Sequence, residues 1–130
     1  MATPAKAPPE GPKVAFPRRG DIYLVSFDPA VGTEIQKTRP ALVIQNDIGN
    51  QYSPITVVAA ITSKFDLPPY PTEVVMESKE SGLSRTSAVL LNQIRSVDRQ
   101  RLIKRMGKAS PEVMGRVARA IQISLGLVEV

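Results

Sequence analysis

Apolar residues are densest in two short runs, Ala41–Gln45 (ALVIQ) and Ile55–Ile61 (ITVVAAI), inside the segment Thr38–Ser63 (TRPALVIQNDIGNQYSPITVVAAITS). Runs of this length, rich in Val and Ile and bounded by Pro, Gly, Asn and Asp, predict β-strands rather than helix. Between them, Asn46–Pro54 carries turn chemistry in Asp47-Ile48-Gly49-Asn50. Upstream, Asp21–Phe27 (DIYLVSF) predicts a first strand, and Asp28–Lys37, with Pro29 and Gly32, a loop. Downstream, Lys64–Pro71 is a loop stiffened by Pro68, Pro69 and Pro71. Thr72–Met76 predicts a fourth strand, Glu77–Leu83 a charged turn with Gly82, and Ser87–Leu91 a fifth strand. Ile94–Val97 and Ile103–Met106 predict short additions, with Asp98–Arg101 turning between them.

The pattern changes period near the carboxyl terminus. Ser110 suits an N-cap, Pro111 the first helical position, and Glu112 the positive end of the helix dipole. Val113, Val117, Ile121 and Leu125 recur every four residues, flanked by Met114 and Ala118, and predict one amphipathic helix that Gly126 stops. Five or more short strands followed by one helix predict a mainly β fold with a C-terminal helix, a small, strongly bent barrel with the helix packed on it. Met1–Pro17, with Pro4, Pro8, Pro9, Pro12 and Pro17 and little apolar bulk, predicts a disordered tail. The folded domain is expected from Arg18 to Val130.

Composition narrows the chemistry. At 130 residues the chain is one domain with room for a real core. It has no Cys, hence no disulfide framework or thiolate metal site, which fits a reducing cytoplasm. No apolar run reaches the roughly 18 residues of a membrane span, and the amino terminus is not a secretory signal, so no membrane partner is expected. The absence of His removes the commonest acid/base side chain and most transition-metal sites. There is no phosphate-loop or dinucleotide motif. Net charge is +5, with eight Lys and Arg between Arg95 and Arg119 against two acids, Asp98 and Glu112. Such asymmetry fits a polyanionic partner, most simply nucleic acid, or a solvated basic face.

What remains for chemistry is Arg, Lys, carboxylates, hydroxyls and backbone amides. Arg39 stands just before one central strand and Thr62 just after the next. Pro40 biases Arg39 to an extended backbone, so its guanidinium enters the sheet at a fixed place. A cation and a hydroxyl on neighbouring strands are suited to hold a phosphate group between them.

At these residues the chain resembles a family. Arg18–Phe27 (RRGDIYLVSF), Gly32-Thr33-Glu34, Thr38–Asn50 (TRPALVIQNDIGN), Thr56–Ser63 (TVVAAITS), Leu90–Asp98 (LLNQIRSVD) and the closing Ile121–Leu127 (IQISLGL) are similar, in order, to the MazF/PemK-type toxin endoribonucleases of type II toxin–antitoxin pairs. The resemblance covers nearly all of Arg18–Leu127 and not the proline-rich tail. It implies an SH3-like barrel of the MazF/PemK/CcdB-like toxin fold, a homodimer, a cytoplasmic location, and a labile acidic antitoxin as partner. It also implies cleavage of single-stranded mRNA without metal or other cofactor, and growth arrest as the result. The family's catalytic Arg falls on Arg39 and its catalytic Thr on Thr62.

The metal-free route is attack of the RNA 2′-hydroxyl on the adjacent phosphorus, giving a 2′,3′-cyclic phosphate and a 5′-hydroxyl. Arg39 suits charge stabilisation, because its planar fork matches two phosphate oxygens. Thr62 suits a hydrogen bond to a non-bridging oxygen. Glu34 stands as a base or as the partner that orients Arg39. Asn46, Asn50, Tyr52, Phe65, Tyr70, Gln93 and Arg95 are candidate RNA-binding residues, by stacking and by hydrogen bonds to base edges. Gly20 and Asp21 are expected to serve a backbone turn. Two alternatives stand beside the nuclease. One is a DNA-gyrase poison on the same fold, which in that toxin group uses an exposed Trp that this chain lacks. The other is a non-catalytic nucleic-acid-binding module.

Overall fold

The structure is a computed structural model in which residues 16–27, 32 and 37–130 are described. Six strands form one antiparallel sheet: β1 (Asp21–Ser26), β2 (Thr38–Val43), β3 (Ile55–Thr62), β4 (Glu73–Met76), β5 (Ser87–Asp98) and β6 (Leu102–Lys108), in the order β4-β5-β3-β2-β1-β6. The helices are α1 (Asp47–Tyr52), α2 (Ser78–Ser81) and α3 (Pro111–Ser124).

The central strands are apolar without a break because they are covered on both sides. Leu42 of β2 and Ala59 and Ile61 of β3 join Ile22, Met76, Val89 and Leu91 under α3. Their neighbours Ala41, Val43 and Val58 point the other way, into a second cluster with Val25, Phe27 and Val97. Period-2 alternation therefore sorts these residues between two cores, and Ala41–Val43 and Val58–Ile61 have no solvent face. Phe27 is 2% exposed, and a side chain of that size buried so fully contributes about 1.5–3 kcal/mol.

Two features curl the sheet. Ala59 of β3 pairs with Ile94, but Ala60 pairs with Leu90, so Leu91, Asn92 and Gln93 form a bulge in β5. The bulge is pinned at Leu91, whose N–H donates to Thr72 O (2.8 Å) and whose carbonyl accepts from Ser124 Oγ (2.6 Å). A bulge of this kind bends the strand and sharpens the local twist. The sequence-predicted strand Ser87–Leu91 and the addition Ile94–Val97 are thus one bent strand. The second feature joins the sheet's two edges. α2 follows β4 directly and lies against β6, where a Cβ on Gly107 would sit 2.2 Å from the Ser81 carbonyl oxygen. The open sheet takes a barrel-like form through that contact.

Other sequence expectations shift as well. Asn46–Pro54 contains a helix, because the Asn46 side chain caps it by accepting from Gly49 N–H (2.8 Å). Glu77–Leu83 likewise contains α2, closed by Gly82 at φ +80°. The α3 stripe runs through Val113, Val117 and Ala120, with Ile121 half-buried. Leu125 lies past the helix end and is 60% exposed. Ser110, Pro111 and Glu112 take their expected places, the Ser110 hydroxyl accepting from Val113 N–H (3.2 Å). At the other terminus, Pro17 is buried and Phe16 half-buried under the Arg18 guanidinium, 5.2 Å from its ring centroid. The packed region thus includes these two residues of the expected tail; the rest of the tail lies outside the described residues.

Candidate active site

Arg39 is delivered by the base of the β1–β2 connection. Phe27 N–H donates to Lys37 O (2.8 Å), and Lys37 turns the chain with φ 64°. β2 then pairs with β1, placing Arg39 opposite Val25. On its other side β2 pairs with β3 as Ala41 with Ala60, Leu42 with Ala59 and Val43 with Val58. That ladder stops at Ala41, since Pro40 has no N–H to give. Continued by two residues, the same register would set Arg39 opposite Thr62. Both residues line one cavity of about 350 Å³, together with Ser63, Ser84, Arg85 and Ser87.

Thr62 is held by its own turn. Its Oγ1 accepts from Lys64 N–H (3.0 Å), and its hydrogen reaches Lys64 O (3.2 Å). A phosphate oxygen would be a stronger, charged acceptor for that hydrogen. Thr62 also lines a second cavity of about 640 Å³ with Phe65, Tyr70, Asn92 and Gln93. The β5 bulge aims Asn92 and Gln93 there, while the Lys64–Pro71 loop supplies the rings. Tyr70 is 73% exposed, a ring face open to stacking. The hydroxyl thus stands where a cationic cavity meets an aromatic and amide-lined one.

The seven candidate RNA-binding residues divide. Phe65, Tyr70 and Gln93 meet at the second cavity. Asn46, Asn50 and Tyr52 are drawn into or beside α1, which precedes the first residue of β3, whereas Thr62 is its last. The two ends of that strand are roughly 23 Å apart at strand rise. Asn50 is fully buried. Its Oδ1 accepts from Thr56 Oγ1 (2.7 Å) and Gln45 Nε2 (3.0 Å), and its Nδ2 donates to Gln45 O (3.0 Å). Asn50 is therefore a core bracket and has no edge to offer a base; Asn46 is committed to its cap. Arg95 is turned to the second core, its Nη1 donating to Phe27 O (2.8 Å) and its guanidinium 5.8 Å from the Phe27 ring centroid. Glu34 lies outside the described residues.

Much of the basic segment also has structural duties. Arg101 Nη1 donates to Ser26 O (3.1 Å), Arg105 pairs with Asp21 (3.2 Å), and Arg116 pairs with Glu80 (3.1 Å). Asp21 accepts from Arg18 N–H (3.0 Å) as well, in the turn where Gly20 has φ +97°. Burial first, and then the Asp21 carboxylate, hold the nearby Tyr23 phenol above its ordinary value. Among the described residues no group of three or more His, Cys, Asp or Glu side chains converges as a metal-ligand set.

Arg85, Ser84 and Asn92 escaped the sequence reading. The one trace in the sequence is Leu83, a lone apolar residue in a polar turn; it is buried and anchors the turn beside the cavity, but by itself it does not single out Arg85.

Comparison with known proteins shows the family to which this fold belongs. The family described as PemK-like, MazF-like toxin of type II toxin–antitoxin system matches residues 18–125. Endoribonuclease EndoA of Bacillus subtilis is 46% identical over 112 residues, spanning 86% of this chain and 97% of that protein. The crystal structure of MazF from Deinococcus radiodurans superposes with a TM-score of 0.74 at 28% identity, over 87% of this chain and 99% of that one. A chain of the MazE–MazF structure from the same organism gives 0.68 at 28% identity, over 85% and 96%. With the match running through both strands that carry Arg39 and Thr62, the chain belongs to the PemK-like, MazF-like toxin family of type II toxin–antitoxin systems.

Proposed function

We propose that the chain is the toxin of a type II toxin–antitoxin pair and acts as a sequence-specific endoribonuclease on single-stranded mRNA. The observation that carries this reading is the joining of Arg39 and Thr62 at one cavity, in a chain 46% identical to an endoribonuclease. Arg39 would grip two non-bridging oxygens of the scissile phosphate and offset the charge that builds on the phosphorane. Thr62 would transfer its hydrogen bond from Lys64 O to a phosphate oxygen. The 2′-oxygen attacks phosphorus as its proton passes to a base. The P–O5′ bond breaks, and O5′ takes a proton as it leaves, giving a 2′,3′-cyclic phosphate and a 5′-hydroxyl. Glu34 is our candidate for the base or for the carboxylate that orients Arg39. Phe27 and Lys37, which flank its segment in the sequence, are hydrogen-bonded to each other two residues before Arg39, which supports either role.

Sequence reading is assigned to the second cavity, where Phe65 and Tyr70 would stack on splayed bases and Gln93 would bond their edges. We place the protein in the cytoplasm, as a homodimer held in check by an acidic, disordered antitoxin segment that competes for the cationic cavity. Apolar side chains left exposed beyond α3 and on the β6 edge, Leu125 (60%), Leu127 (70%) and Ile103 (55%), support a subunit interface there. Incubation with RNA in excess EDTA tests the activity: discrete cuts with 5′-hydroxyl ends are expected, and an intact pool would refute it.

A further inference from the structure

We propose that Arg85 is a second phosphate-binding residue, holding an RNA phosphate next to the scissile one. The inference rests on the ribonuclease reading above. Arg85 lines the same cavity as Arg39 and Thr62, and among the described residues that cavity contains two guanidinium groups and no carboxylate. Its volume, about 350 Å³, is on the order of ten water volumes, more than a single phosphate group fills. A strand with successive phosphates presents one anion to each of two guanidinium groups set in the same cavity.

Arg85 is also held ready. Its turn begins at Gly82, which caps α2 at φ +80°, and is anchored by Leu83, 8% exposed in the main core. It ends at Ser87, which pairs with Met76 of β4 and whose Oγ donates to the Arg85 carbonyl (3.0 Å). The backbone on both sides is fixed while the side chain stays exposed. Arg95, Arg101, Arg105 and Arg116 spend donors on carbonyls or carboxylates of the fold. The Arg85 guanidinium makes no such bond among the described residues. A fixed backbone lowers the ordering cost of gripping a ligand, and the planar fork suits phosphate.

The test uses the full chain and an oligoribonucleotide with one mapped cut site. Arg85→Gln is expected to raise KM about tenfold and to lower kcat less. It should also flatten the log–log fall of affinity with salt by about 0.7. Arg85→Lys keeps the charge and is expected to recover most of the loss, which a purely structural role would not produce. One methylphosphonate linkage, neutral where a phosphate is charged, is then moved along the strand on either side of the cut. At one position it is expected to weaken wild-type binding and to add nothing in Arg85→Gln. An unchanged KM and salt slope in Arg85→Gln, or equal methylphosphonate penalties in both proteins at every position, would overturn the assignment while the wild type still cleaves. No cleavage by the wild type would overturn the nuclease reading and this inference with it.

Discussion

Gly107 of β6 meets the carbonyl of Ser81 in α2 so closely that a Cβ at Gly107 would lie 2.2 Å from that oxygen. The partner is backbone, so it cannot swing aside. Ser110 N–H donates to Glu80 O (2.9 Å) in the same place, and the turn bearing Arg85 hangs from α2. Gly107→Ala is therefore expected to cost about 1–3 kcal/mol, as overpacking does. It should also raise KM for RNA, by shifting the turn. Urea denaturation checks the first expectation; stability equal to wild type would show that the two edges are not locked together.

Asn50 gives the opposite pairing of effects. Asn50→Leu strands Thr56 Oγ1 and Gln45 O in the interior, and a loss of about 1–3 kcal/mol is expected. The bracket sits at the far end of β3 from Thr62, so cleavage per folded molecule should be little changed. Kinetics below the melting range, with the folded fraction measured alongside, separate the two. A rise in KM with intact stability would return Asn50 to the RNA-binding surface.

Arg39 and Thr62 should differ in rank. Arg39→Ala is expected to lower kcat by about 10²–10³-fold, the usual loss when one preorganised donor to a developing charge is removed. Thr62→Ala should cost about tenfold, on the scale of one hydrogen bond to a charged group, and Thr62→Ser should recover much of it. Single-turnover rates at saturating RNA measure both. Equal rates for Arg39→Ala and wild type would remove Arg39 from the chemistry.

The rings of the second cavity should act on binding. Phe65→Ala and Tyr70→Ala each forfeit about 1–3 kcal/mol if a base stacks there, seen as a higher KM and a looser choice of cut sequence. Sequencing of product ends from a mixed pool reads that choice. An unaltered pattern in both variants would mean that the bases are read elsewhere.

The strands were legible because burial on both faces writes itself as unbroken Val, Ile and Ala runs, and α3 because Ser110, Pro111 and the four-residue stripe agree. Arg39 and Thr62 were legible as residues at the edges of two adjacent runs. α1 was not, since its single turn and a half rests on Asn46 as cap and on the buried Asn50 bracket, neither of which leaves a periodic mark. The β5 bulge is a matter of register between strands distant in sequence. Arg85 was hidden for a related reason: only the pairing of Met76 with Ser87 and the seating of Leu83 bring its turn to the cavity.

The most direct measurement is cleavage of a single-stranded RNA pool by the purified chain in excess EDTA. Arg39→Ala, and a substrate with a 2′-deoxy residue at each cut, run beside it. Discrete products with 5′-hydroxyl ends, lost in both controls, are expected. Cleavage that persists without the 2′-hydroxyl or without Arg39, or none by the folded wild type, would contradict the account.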